Sequence, residues 1–150
     1  MAIVNSLNNA KISAIPSKKI EKGEFGGKVR SLFDSYVFPG AVFAANDEIN
    51  LITLPKGARV VDAKIVSPSL GATGIFTLGH RANLEDAEDD NALVISADAG
   101  GQAVSASMAA ASVANLKKFE SETQLYLKCS EATAAANGLE IKVFVEYVLD

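Results

Sequence analysis

Leu139-Glu140-Ile141-Lys142-Val143-Phe144-Val145-Glu146-Tyr147-Val148-Leu149 alternates from end to end. Leu139, Ile141, Val143, Val145, Tyr147 and Leu149 fall on one side; Glu140, Lys142, Phe144, Glu146 and Val148 fall on the other. Successive side chains of a strand point to opposite faces, so period two over this length specifies a strand with one buried face. Phe144 and Val148 leave two apolar groups on the face that should be wet. That surplus marks both as candidate protein-interface residues.

Working outward, Asn137-Gly138 is a strong turn signal of the kind favoured in hairpins. Residues 123–129 alternate Leu125, Leu127 and Cys129 against Gln124, Tyr126 and Lys128. Further back, 28–38 carries large residues on both sides, Val29, Phe33 and Val37 against Leu32, Tyr36 and Phe38, and Pro39-Gly40 stops it. A short strand is expected at 48–54, then a tight turn at Pro55-Lys56-Gly57. In 59–66, Val61, Ala63 and Ile65 are expected on one face with Asp62 and Lys64 on the other. Another strand is expected at 74–80, with Phe76 and Leu78 opposed to Ile75 and Thr77. Residues 90–99 suit one short helix, with Asp89 or Asp90 as cap and Gly100-Gly101 as stop. In 102–116 the helix propensity of the Ala-rich run conflicts with its alternation, and a strand from about 103 to 108 is the better reading.

Many short strands between Gly/Pro turns, with at most one short helix, predict an all-β fold: a two-layer antiparallel β-sandwich over residues 28–150. Residues 1–27 differ. Isolated apolar residues (Ile3, Val4, Leu7, Ile12, Ile15, Ile20, Phe25) sit among polar ones, with Pro16, Gly23, Gly26 and Gly27 as breakers. Such a segment buries little alone. It reads either as a loose terminus or as an extended N-terminal arm that orders on a neighbouring subunit.

Composition narrows the function classes. Hydrophobic residues make up 49% and charged residues 21%, an ordinary globular balance, and the net charge is −4. Residues 1–45 carry six basic groups against three acidic ones, whereas 81–98 set Arg81 against Glu85, Asp86, Glu88, Asp89, Asp90 and Asp98. The basic region is dilute and poor in interleaved aromatics, and the chain as a whole repels phosphates, so no nucleic-acid partner is expected. No apolar stretch approaches a signal h-region or a bilayer span, and no membrane partner is expected either.

Candidate chemistry is sparse. The single histidine, His80, sits at a strand end and reads as a structural or surface residue rather than a base. The single cysteine, Cys129, lies in an apolar row and reads as a small buried hydrophobe, with a reactive thiol as the alternative. The acidic run Glu85, Asp86, Glu88, Asp89, Asp90 has the oxygen chemistry calcium prefers but not the spacing or turn glycine of an EF-hand loop; a solvated loop is the plainer reading. Gly71-Ala72-Thr73-Gly74 and Gly100-Gly101 form no phosphate-cradling motif. No catalytic, metal or cofactor site can be assembled. The expectation is a non-enzymatic protein without cofactor, built to pack on other protein.

The segment Ile49-Asn50-Leu51-Ile52-Thr53-Leu54-Pro55-Lys56-Gly57-Ala58-Arg59-Val60-Val61-Asp62-Ala63 resembles a pattern of small tailed-bacteriophage structural proteins, a strand ending in Leu-Pro-x-Gly followed by Arg-Val-Val-Asp-Ala. Thr77-Leu78-Gly79-His80, Asp89-Asp90-Asn91-Ala92-Leu93-Val94, Ala97-Asp98-Ala99-Gly100-Gly101 and the closing Thr-Ala-Ala-Ala-Asn-Gly hairpin are similar to the same group. The likeness covers roughly residues 47–149. It implies an auxiliary head protein, a decoration or cement protein with a jelly-roll-like sandwich. Such a protein binds the outside of an icosahedral capsid and stabilises contacts between major capsid subunits. The implied partner is the major capsid protein, with homo-oligomers, trimers among them, also in view. The implied location is the capsid exterior of a virion, after synthesis in the host cytoplasm. On this reading Ile3, Ile12, Ile15 and Phe25 are candidate anchors of the arm. The alternatives are a head-fibre base or other vertex or tail component, and, in another class, a carbohydrate-binding or adhesin module.

Overall fold

The computed structural model describes residues 28–108 and 117–149; the expected arm over 1–27, and with it Ile3, Ile12, Ile15 and Phe25, lies outside them. Eight strands follow one another: β1 (Arg30–Val37), β2 (Glu48–Leu54), β3 (Ala58–Ser67), β4 (Ile75–His80), β5 (Asp89–Asp98), β6 (Val104–Ser107), β7 (Thr123–Glu131) and β8 (Glu140–Leu149). They form two antiparallel four-stranded sheets, in the orders β1-β8-β3-β6 and β2-β7-β4-β5. Among the described residues there is no helix.

The pairing is nested. β4 pairs with β5, β3 with β6, β2 with β7 and β1 with β8, all antiparallel, as if one long hairpin were folded over on itself. Lateral pairing of β3 with β8 and of β4 with β7 completes the sheets. This is the jelly-roll arrangement. The chain changes sheet at every connection except β4–β5, the one place where consecutive strands pair with each other.

Three expectations are corrected by that topology. Asn137-Gly138 makes a turn, with the Leu139 amide 3.3 Å from the Ala136 carbonyl, but joins β7 to β8 across the two sheets rather than closing a hairpin. It docks on the end of β1, where Phe38 and Leu139 share a backbone hydrogen bond of 2.8 Å. The expected helix at 90–99 is instead β5: Val94 lies opposite Leu78 and Ala97 opposite Phe76. The Asp89 carboxylate does accept from the Asn91 amide at 3.2 Å, as a cap would, but β4 offers ladder partners and Ala92, Leu93 and Val94 a buried layer. In β3 a bulge between Val60 and Asp62 resets the alternation. Val60 is therefore the buried residue and Val61, expected beside Ala63 and Ile65, lies 37% exposed.

The inner faces meet in a layer that includes Leu54, Ile65, Leu78, Leu125, Leu127 and Ile141, all essentially without solvent contact. Each end of the sandwich is plugged by rings. At one, Phe38 packs edge-on against Phe43 (5.8 Å between centroids) and Phe76 (6.1 Å), joining the β1–β2 connection to β4. At the other, Phe119 meets the His80 ring at 5.1 Å. The turn before β3 forms as expected: the Ala58 amide donates to Pro55 O at 3.1 Å, with Gly57 at φ +83°, a value that favours glycine. Asp34 ties the edges of the two sheets together. Its Oδ2 accepts the Ile52 amide at 2.9 Å, beside the bulge in β2.

The tightest constraint is at Gly79, in β4 between β5 and β7. A Cβ there would sit 2.0 Å from the Asp89 carbonyl oxygen and 2.6 Å from the Asp90 Cα, both backbone atoms that cannot step aside. Gly79→Ala is expected to cost about 3 kcal/mol, the upper end for overpacking. Urea denaturation of the two proteins measures it; an unchanged midpoint would show that β5 is not held where it lies.

Candidate protein-interaction surfaces

Phe144 lies at the middle of β8, where alternation turns it outward, and is 40% exposed. It is directly opposite Phe33 on β1 and opposite Lys64 on β3. The Phe33 and Phe144 rings pack at 5.0 Å, tilted by 52°, and Phe33 is 54% exposed. Cross-strand rings of this kind stabilise the sheet, but over a third of each ring's surface remains in water. Val37, on the same face of β1, and Val29, just before the strand, are exposed too. Between Phe144 and β6 a shallow cleft of about 370 Å³ is lined by Asp62, Lys64, Val66, Ser105 and Glu146.

Val148 does not join this patch. It is only 4% exposed and pairs with Arg59, which is itself bridged to Lys118. Additional backbone and a long side chain gather at that end of the sheet, and strand alternation does not encode them. Of the two interface residues expected on β8, Phe144 is at the surface and Val148 is not. Phe33 is legible as an apolar residue on a strand with two apolar faces. Leu84, 91% exposed between Asn83 and Glu85, gives no such signal, because a lone apolar residue in a polar loop has no periodicity.

Leu84 sits in the β4–β5 connection, which is closely held. Asn83 Oδ1 accepts from the amides of Glu85 (2.9 Å) and Asp86 (2.7 Å), and its Nδ2 donates to Thr123 Oγ1 at 2.8 Å. Glu85 takes the Ser121 hydroxyl and Asp86 the Lys117 ammonium.

The β2-β7-β4-β5 sheet exposes Ile52 and Ile95 and carries a polar cluster organised by Arg81. Its guanidinium lies 4.1 Å over the Tyr126 ring, 2.7 Å from Glu48 and 3.1 Å from Glu88, and donates to Asn50 Oδ1 at 2.7 Å. Partial burial works against its charge, but the bonds to Glu48 and Glu88 outweigh that and raise its pKa. Burial, followed by the hydrogen bond to Glu88, keeps the Tyr126 phenol protonated. Lys128 pairs with Asp90 at 2.6 Å. Asp86, Glu88 and Asp90 of the acidic run thus each face a cation, and among the described residues no group of three or more His, Cys, Asp or Glu side chains is arranged to hold a metal ion.

His80 and Cys129 serve the interior. His80 is buried, its Nδ1 3.0 Å from the Arg81 carbonyl oxygen and its ring against Phe119. Cys129 is fully buried, its thiol donating to the Glu131 carbonyl oxygen at 3.0 Å; burial pushes its pKa up to about 11, away from thiolate chemistry.

No family model and no curated protein matches the chain. Chains of similar fold occur in solved structures of phage capsids. One is a chain in the capsid of Ralstonia phage GP4, at a TM-score of 0.69 and 23% identity, covering 83% of this chain and 86% of that one. Another is a chain in the capsid asymmetric unit of cyanophage Pam1, at a TM-score of 0.60 and 20% identity, covering 92% of this chain and 97% of that one.

Asp86 ties the exposed loop to the 117–122 segment, and the Lys117 hydrogen bond holds its carboxyl below the ordinary range. A lowered folded-state pKa gives stability that is fully present above the unfolded-state value and is lost as pH falls through the folded one. The contribution should therefore be constant above about pH 4 and fade in more acid solution, amounting to about 1 kcal/mol or less for a pair this close to the surface. Asp86→Asn should flatten that part of the stability–pH curve, measured by denaturant unfolding at pH 3 to 7 (about the range spanning the carboxylates).

Proposed function

We propose that this chain is an auxiliary structural protein of a tailed-phage capsid, a decoration or cement protein that sits on the outside of the shell and bridges major capsid subunits. The observation that carries the reading is the fold likeness to chains from two phage capsids over nearly their whole length. Those chains are of about this size, which supports a small component over one domain of a larger subunit.

The surface chemistry supports a packing role. Exposed Phe33, Phe144 and Leu84 offer apolar area, and each covered Å² is worth about 25 cal/mol, so a modest contact repeated around a shell stiffens it. His80 and Cys129 are committed to the interior. The arm, with Ile3, Ile12, Ile15 and Phe25, supplies the anchors. Ordering it costs entropy, so it settles where an assembled lattice presents all its sites at once.

The test is cosedimentation of the full chain with expanded heads of its own phage that lack this protein. Binding should saturate and should raise the temperature at which the heads break open. Replacing Ile12, Ile15 and Phe25 together by Ser should weaken binding by at least about tenfold, the loss of roughly 1.4 kcal/mol or more. A chain that ignores heads but captures glycans on an array would move the assignment to the adhesin class.

A further inference from the structure

We infer that the exposed face of the β1-β8-β3-β6 sheet is a self-complementary contact that takes a second copy of this chain, about a two-fold axis lying along the Phe33–Phe144–Lys64 row. That row crosses the middle of the face. To one side of it, on the carboxyl-terminal side of Phe144, the outward positions are Glu146 and its ladder partner Asp62. To the other side lie Lys142 and its partners Ser35 and Val66. A central row of two rings and Lys64 thus separates an acidic row from a basic position at equal spacing along the strands.

A contact between identical patches must satisfy itself: if residue i meets residue j, then j meets i. Turning one copy over about the central row lays Phe33 and Phe144 on their counterparts and sets Glu146 of each copy against Lys142 of the other. Lys64 then lies near its own counterpart, with Asp62 and Glu146 beside it to offset the like charges. The competing intramolecular pair, Lys142–Glu140 at 3.4 Å, is exposed on both sides and is weak. The opposite sheet has no such pattern, because Arg81, Glu48, Glu88, Lys128 and Asp90 already pair with one another there.

The size of the face sets the strength. Four strands about 4.8 Å apart and some seven residues long at about 3.3 Å each make a patch of roughly 450 Å². That is short of the roughly 800 Å² per partner of a stable interface. The contact is therefore a weak, reversible dimer in dilute solution and becomes populated where copies are concentrated, as side-by-side attachment to a common surface would do. This inference is independent of shell binding, because it is read on the isolated chain.

Sedimentation equilibrium of the full chain from about 10 μM to about 1 mM spans the affinities such a patch supports. The expected result is a monomer–dimer equilibrium. Glu146→Lys or Lys142→Glu alone should raise its dissociation constant at least about tenfold, and the two together should return it to within about threefold of the parent. Phe144→Ser should also abolish the dimer, with thermal melting as the control that the fold survives loss of the Phe33 ring contact. A monomer throughout, a trimer, an assembly indifferent to the single reversals, or a double reversal no better than either single one would each overturn the proposal.

Discussion

The layer of side chains between the two sheets carries the whole molecule, and β8 lines it from the interior of one sheet. Ile141, Val143, Val145 and Tyr147 enter that layer from a strand that also holds β1 on one side and β3 on the other. Removing β8 from the sheet would leave β1 without any strand partner and would open the layer along its length. Because a jelly roll joins almost every strand to a partner distant in the chain, no fragment can bury its own apolar face first. Only β4 and β5 pair locally, and the remaining ladders close long loops before they are rewarded.

What is legible in the sequence follows from that division. Strand existence is a local property, and the segments at 48–54 and 139–149 emerge with almost the boundaries their alternation implies. Connectivity is not local. Asn137-Gly138 carries the chemistry of a tight turn whether the flanking strands pair with each other or part into different sheets, and nothing within those residues distinguishes the two. The 90–99 segment illustrates the same limit. Its cap-like Asp and terminal glycines agree with a helix, while the reason it is a strand lies in β4, whose edge would otherwise be unpaired.

The surface is less completely encoded. Phe144 declares itself because it breaks the polar side of a long alternation, and Phe33 because β1 has apolar residues on both sides. Val148 obeys the same rule and is nevertheless buried, since the residues that crowd it come from β3 and from the chain near Lys118. Charge behaves in a similar way. Along the chain the acidic run is a single negative block, yet folding sets Lys117, Lys128 and Arg81 against its members one by one. The sandwich implied by the sequence pattern is the one the jelly-roll strand order shows, with Phe33 and Phe144 left partly uncovered on one sheet face.

The position of β1 has a mechanical consequence. Among the described residues it is an edge strand whose only ladder is with β8, and the described chain enters it from residue 28. Tension applied through that point along the strand axis is shared by every β1–β8 hydrogen bond at once, whereas tension across the sheet reaches them singly, like a zip. The body is thus anisotropic: stiff toward a tether pulled along β1 and compliant toward one pulled away from it.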